Sequence, residues 1–153
     1  MQSRLNSKNS SPAAYQAMHA LEAFVRKTSL EPSLLELVKL RASQLNACAF
    51  CIDMHSKDAR AQGETEQRLF ALNAWRETPF FTERERAALA WTESVTMVAE
   101  SHVPDSVYDQ ALRHFSEEEL VNLTMAVVAI NGWNRLAVAF RAVPGEYQPM
   151  GAK

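Results

Sequence analysis

Cysteine is scarce in this chain: two in 153 residues, at positions 48 and 51. A disulfide scaffold is thereby excluded, and any disulfide within the chain must join Cys48 to Cys51. A basic excess is also missing. The formal net charge is −2 and no basic block occurs, which argues against nucleic acid as a partner. The N-terminus from Met1 to Ser11 is polar and lacks the apolar core of a secretory signal. Long apolar runs are absent too. The longest uncharged stretch, Leu120 to Asn134, contains Asn122, Asn131 and Asn134 and is too short and polar to suggest a membrane span. These absences point to the cytoplasm, where a close cysteine pair is more often redox-active or metal-binding than structural.

What remains is ordinary globular composition, 47% hydrophobic and 22% charged, in a length suited to one domain with one core. Neither internal repeats nor low-complexity segments interrupt it. Residues 1–153 are read as a single domain, with 1–11 and 144–153 as loose termini. Helical punctuation recurs along it. Ser11-Pro12 opens a segment with Tyr15, Met18, Leu21, Phe24 and Val25 at spacings of three and four. Glu31-Pro32 opens a second, with Leu34, Leu35, Leu37, Val38, Leu40 and Leu45. Asn46 is placed to cap a third, ending at Gly63. Thr82-x-x-Glu85 and Ser116-x-x-Glu119 have the form of capping boxes. Asn131-Gly132 between apolar runs suggests a β-hairpin, but the upstream capping box and the alanines from Ala126 to Ala142 favour a helix. The fold class is therefore all-α, with about six or seven helices. The last helix, apolar almost all round, is expected at the centre of the core or at a subunit interface.

Chemistry concentrates between Asn46 and His55. In a helix, Cys51 and His55 are separated by i,i+4 and Cys48 precedes Cys51 by three, so the three side chains share one face. A thiol beside a second thiol and an imidazole can form a thiolate, react and be resolved as a disulfide. A zinc site is the main rival, although Cys48, Cys51 and His55 supply three ligands where a structural zinc takes four. Two buried, inert cysteines form the third reading. Glu36 fits a capping box with Ser33, yet Pro32 at the first helical position leaves it beyond that role. On a face rich in Leu and Val, its carboxyl is expected to have a raised pKa and to serve a proton relay.

The run from Glu36 to Asn46, followed by Cys48-x-x-Cys51-x-x-x-His55, resembles the core motif of the carboxymuconolactone decarboxylase superfamily, in its AhpD-like alkylhydroperoxidase branch. The resemblance implies an all-α fold, a homo-trimer or homo-hexamer, and reduction of organic hydroperoxides in antioxidant defence. It implies Cys51 as nucleophile, Cys48 as resolving thiol, and Glu36 and His55 as proton relay. An external dithiol restores the pair, and no metal, flavin or haem is required. One departure is Phe50, where peroxidase members carry a further histidine. The alternatives within this reading are a thiol–disulfide oxidoreductase and a redox-sensing oligomer.

Overall fold

The computed structural model describes residues 2–149; the other five positions, part of the termini read as loose, lie outside the described residues. These residues form nine α-helices and one 3-10 segment: α1 (Ser7–Ser10), α2 (Pro12–Val25), α3 (Pro32–Leu45), α4 (Ala49–Ala61), α5 (Glu66–Ala71), the 3-10 segment (Leu72–Glu77), α6 (Glu83–Thr96), α7 (Val98–Ser101), α8 (Asp105–Leu112) and α9 (Glu117–Phe140). The all-α reading holds. The larger helix number comes from short helices in segments that carry no periodic signal of their own.

Local chemistry sets the boundaries. Pro12 and Pro32 occupy the first turns of α2 and α3, where the missing N–H costs nothing. Thr82 and Ser116 each accept from the backbone three residues on, and Glu85 and Glu119 reach back to complete both capping boxes. Gly63, with φ of 97°, follows the α4 C-cap residue Gln62, a left-handed position that favours glycine.

α3 is the central helix. It packs against α4, α6 and α9. Its Leu34, Leu35 and Val38 enter one apolar cluster with Trp91, Phe115, Leu123 and Val127. Leu37 and Leu40 enter a second with Leu72, Trp75, Phe81 and Leu89. A third, smaller cluster joins Ala42, Cys48, Cys51 and Ile130. α9 is by contrast buried on one side and leaves Val121, Val128 and Val138 exposed. By length and composition it could cross a bilayer, but packing against α2, α3 and α6 accounts for its apolar inner face.

Both ends are tied down more than their sequences suggest. The Arg4 N–H donates to the Phe140 carbonyl at 3.0 Å. The Gly145 N–H donates to Asp53 Oδ2 at 3.0 Å, and Tyr147 Oη donates to Asp58 Oδ1 at 2.6 Å. Residues 145–147 thus lie along α4.

Asn131 and Gly132 sit inside α9, so the hairpin alternative fails. A Cβ on Gly132 would meet only the flexible end of Met18, its Cε at 2.7 Å. Gly132→Ala is expected to fold normally, with helix propensity worth about 1 kcal/mol set against the displaced methionine. Its melting temperature should stay within roughly 4 °C of the parent in a thermal melt; a collapse of the fold would show that this glycine is required.

Candidate active site

One turn builds the centre of the site. α3 ends with Asn46 as its C-cap, and Ala47 follows in the left-handed region with φ of 50°. The Ala47 N–H donates to the Gln44 carbonyl at 3.1 Å and the Cys48 N–H to the Ser43 carbonyl at 2.9 Å. This pair of bonds is a Schellman motif. Cys48 is then the N-cap of α4, with φ −86° and ψ 92°, and its carbonyl accepts the Ile52 N–H at 2.9 Å. Asn46 is therefore not the cap of α4, as its sequence position suggests. The left-handed slot after α3 holds an alanine instead of the usual glycine, which hides the end of the helix.

The antiparallel return of α4 along α3 stacks two tiers. The upper tier holds the sulfurs. Both cysteines are thiols, each 1% exposed, against Ala42 of α3 and Ile130 of α9, with Phe50, Trp133 and Ala137 partly covering them. Phe50, standing where a relay histidine is expected, supplies apolar cover. The Cys48 thiol is drawn down to about 7. The hydrogen bond from the Cys51 thiol contributes most, burial opposes it, and the backbone N–H groups of Cys51 and Phe50 and the side chain of Asn134 add to the lowering. Cys51 is pushed up, first by its hydrogen bond with Cys48, then by burial and by the Cys48 charge. Of the two sulfurs, Cys48 at the helix N-terminus is the one on which a negative charge is favoured. Cys51 is not the low-pKa thiol that its spacing to His55 suggests.

The lower tier, near one turn away, is the acid–base pair. His55 Nδ1 lies 2.8 Å from Glu36 Oε2, both groups buried. Lys39, 2% exposed, donates to Glu22 Oε1 at 2.7 Å and to Glu36 Oε1 at 3.3 Å. Burial pushes the Glu36 carboxyl up, but the His55 hydrogen bond, the Lys39 charge and the His55 charge outweigh it and hold it below its ordinary value. The raised pKa expected for Glu36 is corrected here, because the His55 hydrogen bond and the Lys39 charge together outweigh its burial. An ionised Glu36 accepts, so Nδ1 carries a proton and turns to the carboxylate, leaving Nε2 as the ring nitrogen open to its surroundings. Among the described residues no hydrogen bond joins His55 to Cys51. No buried side-chain nitrogen or oxygen lacks a partner there either, so Nε2 borders solvent. Any proton transfer between His55 and the sulfurs runs through water.

A cleft of about 390 Å³ opens beside this tier, lined by Arg26, Glu36, Lys39, Asp58 and Tyr147 among others. Donor atoms of Glu36, His55 and Asp58 lie within 4.8 Å of one another, but Lys39 and Tyr147 already occupy the carboxylates. The zinc reading of Cys48, Cys51 and His55 gains nothing, since the imidazole nitrogen that makes a protein bond turns to Glu36 instead of the thiols. Lys39, Asp58 and Tyr147 are the site neighbours that sequence reasoning missed. Only Lys39 carried a signal, its spacing of three from Glu36.

An all-α protein with a CxxC at a helix N-cap over a Glu–His pair is the class these features define. The carboxymuconolactone decarboxylase family model matches residues 12–94. The uncharacterized protein YdfG of Bacillus subtilis is 40% identical over 139 residues, 91% of this chain and 95% of that one. A crystal structure from Agrobacterium tumefaciens, of a protein of unknown function proposed to be the antioxidant defence protein AhpD, superposes with a TM-score of 0.93 at 45% identity. It covers 95% of this chain and 100% of that one. The debrominase Bmp8 shares the fold, with a TM-score of 0.82 at 19% identity over 92% of this chain and 75% of that one. The chain belongs to the carboxymuconolactone decarboxylase family and has the AhpD-like fold.

A carboxyl held below its ordinary value of 4.5 binds its proton more weakly in the folded chain than in the unfolded one. The stability from Glu36 is therefore complete above about pH 4.5 and is lost as pH falls through its folded pKa. Glu36→Gln is expected to be less stable at pH 7 and to lose less stability between pH 5 and roughly pH 3. Melting temperature against pH for the two proteins checks this; parallel curves would contradict it.

Proposed function

We propose that this chain is a thiol-dependent hydroperoxidase that reduces organic hydroperoxides through Cys48 and Cys51. The observation that carries the reading is the placement of two buried thiols at the N-terminus of α4, one helical turn before His55 and its Glu36 partner. The likeness to the Agrobacterium protein proposed as an AhpD supports an antioxidant role, and the family resemblance supports Cys51 as the attacking sulfur. As substrate arrives, the Cys51 proton passes to Cys48 and the charge moves to Cys51. The Cys51 thiolate attacks the distal oxygen of ROOH, the O–O bond breaks, and the alkoxide leaves as ROH with a proton relayed by His55 through water. Cys51–SOH is then attacked by the Cys48 sulfur, giving the disulfide and releasing water. An external dithiol reduces the disulfide by exchange and leaves oxidised. Glu36 holds the His55 ring with Nε2 available. A cytoplasmic setting fits a pair that must be re-reduced in each cycle.

A second reading, thiol–disulfide exchange with peroxide a poor substrate, is favoured by Phe50 in the relay position and by the near-complete burial of both sulfurs. Steady-state peroxide loss with and without dihydrolipoamide separates the two. Dithiol-dependent turnover is expected; disulfide formation without turnover would remove the hydroperoxidase reading.

The cysteine roles are tested by dimedone labelling after one equivalent of peroxide. Cys48 is the first cause of the raised Cys51 pKa, so Cys48→Ser should lower it and leave a trappable sulfenic acid on Cys51. Cys51→Ser should remain almost unlabelled. Label on Cys48 alone would transfer the attack to Cys48. His55→Ala should slow the first step by about 10²-fold, and Glu36→Gln by less, since it acts through the imidazole.

The exposed Val121 and Val128 lie seven residues apart on the outer line of α9, and they support assembly as a homo-trimer or homo-hexamer. Light scattering at micromolar concentration should give a multiple of the 17.2 kDa chain; a monodisperse monomer would remove the oligomer.

A further inference from the structure

Asn131, Asn134 and Arg135 lie in the C-terminal half of α9, and counting their hydrogen bonds separates their roles. Asn131 is saturated. Its Nδ2 donates to Thr96 Oγ1 at 3.1 Å and to the Val127 carbonyl at 2.9 Å, while its Oδ1 accepts from Asn46 at 3.0 Å and from Arg135 at 2.9 Å. Arg135 is spent on Asn131, through both its carbonyl and its side chain. Asn134, 1% exposed, is different. Its Oδ1 accepts the second Asn46 proton at 2.9 Å, and its Nδ2 donates to Ser43 Oγ at 3.1 Å. An amide nitrogen has two protons, so one N–H of Asn134 has no oxygen partner.

The direction of this chain is over-determined. Ser43 gives its only proton to the Lys39 carbonyl at 2.7 Å, so it can only accept from Asn134. Asn46, with both amide protons used, can only donate to Oδ1. The amide therefore cannot flip, and its nitrogen faces the Ser43 end of α3. That is the level at which Cys48 is bonded through its own N–H to Ser43. Ile130, Trp133 and Ala137, placed at −4, −1 and +3 from Asn134 on α9, pack in the same cluster as both sulfurs.

We propose that Asn134, aimed by Asn46 and Ser43, is the fixed donor that serves the negative charge of the Cys48–Cys51 pair. It rests on the reading of those cysteines as a redox pair. The remaining N–H belongs to a buried, immobile, uncharged amide whose helix neighbours pack on both sulfurs, and a hydrogen bond from it lowers the pKa of both thiols. A donor common to both sulfurs stabilises the charge wherever the shared proton leaves it, so the handover from Cys48 to Cys51 does not strand a buried anion. The same N–H is in place for the Cys51 sulfenate oxygen before Cys48 attacks. The titratable and charged groups on the elements around the pair have other partners: His55 on α4 with Glu36, Lys39 on α3 with two carboxylates, Arg135 on α9 with Asn131, while His19 of α2 packs edge-on against Trp133.

The test is the pH profile of thiol alkylation by iodoacetamide, which uses no peroxide. Asn134→Leu keeps the branched outline of the side chain and removes the donor. It should raise the lower midpoint of the pair by about one unit and slow alkylation at pH 7 by about fivefold. Asn46→Ala leaves the donor but frees its aim, and should shift the profile in the same direction by less. Circular dichroism shows whether each variant is folded. In the unaltered protein, one Asn134 side-chain proton should move downfield in ¹⁵N-resolved NMR with the same midpoint as the thiol pair. That readout stands even if Asn134→Leu does not fold. Profiles superimposable on the parent in folded variants, or an Asn134 resonance indifferent to the thiol titration, would overturn the assignment. A shifted alkylation profile without peroxide turnover would keep it and remove the hydroperoxidase reading alone.

Discussion

The site depends on the left-handed backbone of Ala47. With that one residue at φ of 50°, α3 is closed by two reverse hydrogen bonds and α4 starts within two residues, antiparallel to it. The conformation costs an alanine on the order of 1–2 kcal/mol, offset by the two carbonyls it satisfies and by the packing of α4 on α3. The geometry places Cys48 in a double role, last partner of one helix and cap of the next. A longer connection would move the thiol off the helix terminus and out of line with Ser43 and Asn134. The register of α4 then follows, setting His55 opposite Glu36 and Cys51 one turn above.

That register keeps two kinds of charge apart. The lower tier is a chain of alternating sign, Arg26 to Glu22 to Lys39 to Glu36, ending on the hydrogen bond to His55 and removed from water beyond Arg26. Such groups are tolerated only because each meets an opposite charge or a hydrogen bond. Its neutrality matters for the tier above. An unbalanced carboxylate under the sulfurs would oppose thiolate formation, and an unbalanced ammonium would fix the charge on the nearer sulfur. With both absorbed, the thiol pair is governed by short-range donors: its own S–H, the helix N-terminus and the amide of Asn134. The two tiers then divide the chemistry between a mobile proton at Nε2 of His55 and a stabilised charge on sulfur.

Much of this was legible in the chain. Pro12, Pro32 and the two capping boxes mark helix starts through local chemistry that tertiary packing leaves intact. Glu36 was correctly freed from a cap by the position of Pro32, and its spacing against the CxxC and His55 carried the family. The errors lie in groups whose role is fixed by a backbone conformation or a side-chain contact that the local pattern does not show. Asn46 looks like a cap because Ala47 stands where a glycine would have announced the end of α3. Its true partners, Asn131 and Asn134, are more than eighty residues away. Glu36 was assigned a raised pKa because its Leu and Val neighbours dominate the local sequence, whereas Lys39 points to the same pocket. Residues 145–147 have no periodicity to betray that Asp53 and Asp58 hold them. Cys51 shares a helix face with His55, but the imidazole turns to Glu36 and the N-cap position favours charge on Cys48.

The central claim is that Cys48 and Cys51 behave as one titrating unit with a single shared proton. Thiolate absorbance near 240 nm against pH, in the reduced protein and referenced to the Cys48→Ser, Cys51→Ser double variant, tests it directly. One thiolate per chain is expected to appear with a midpoint of about 7, with the second withheld until the solution is far more alkaline. Two thiolates rising together in the ordinary thiol range would contradict the account.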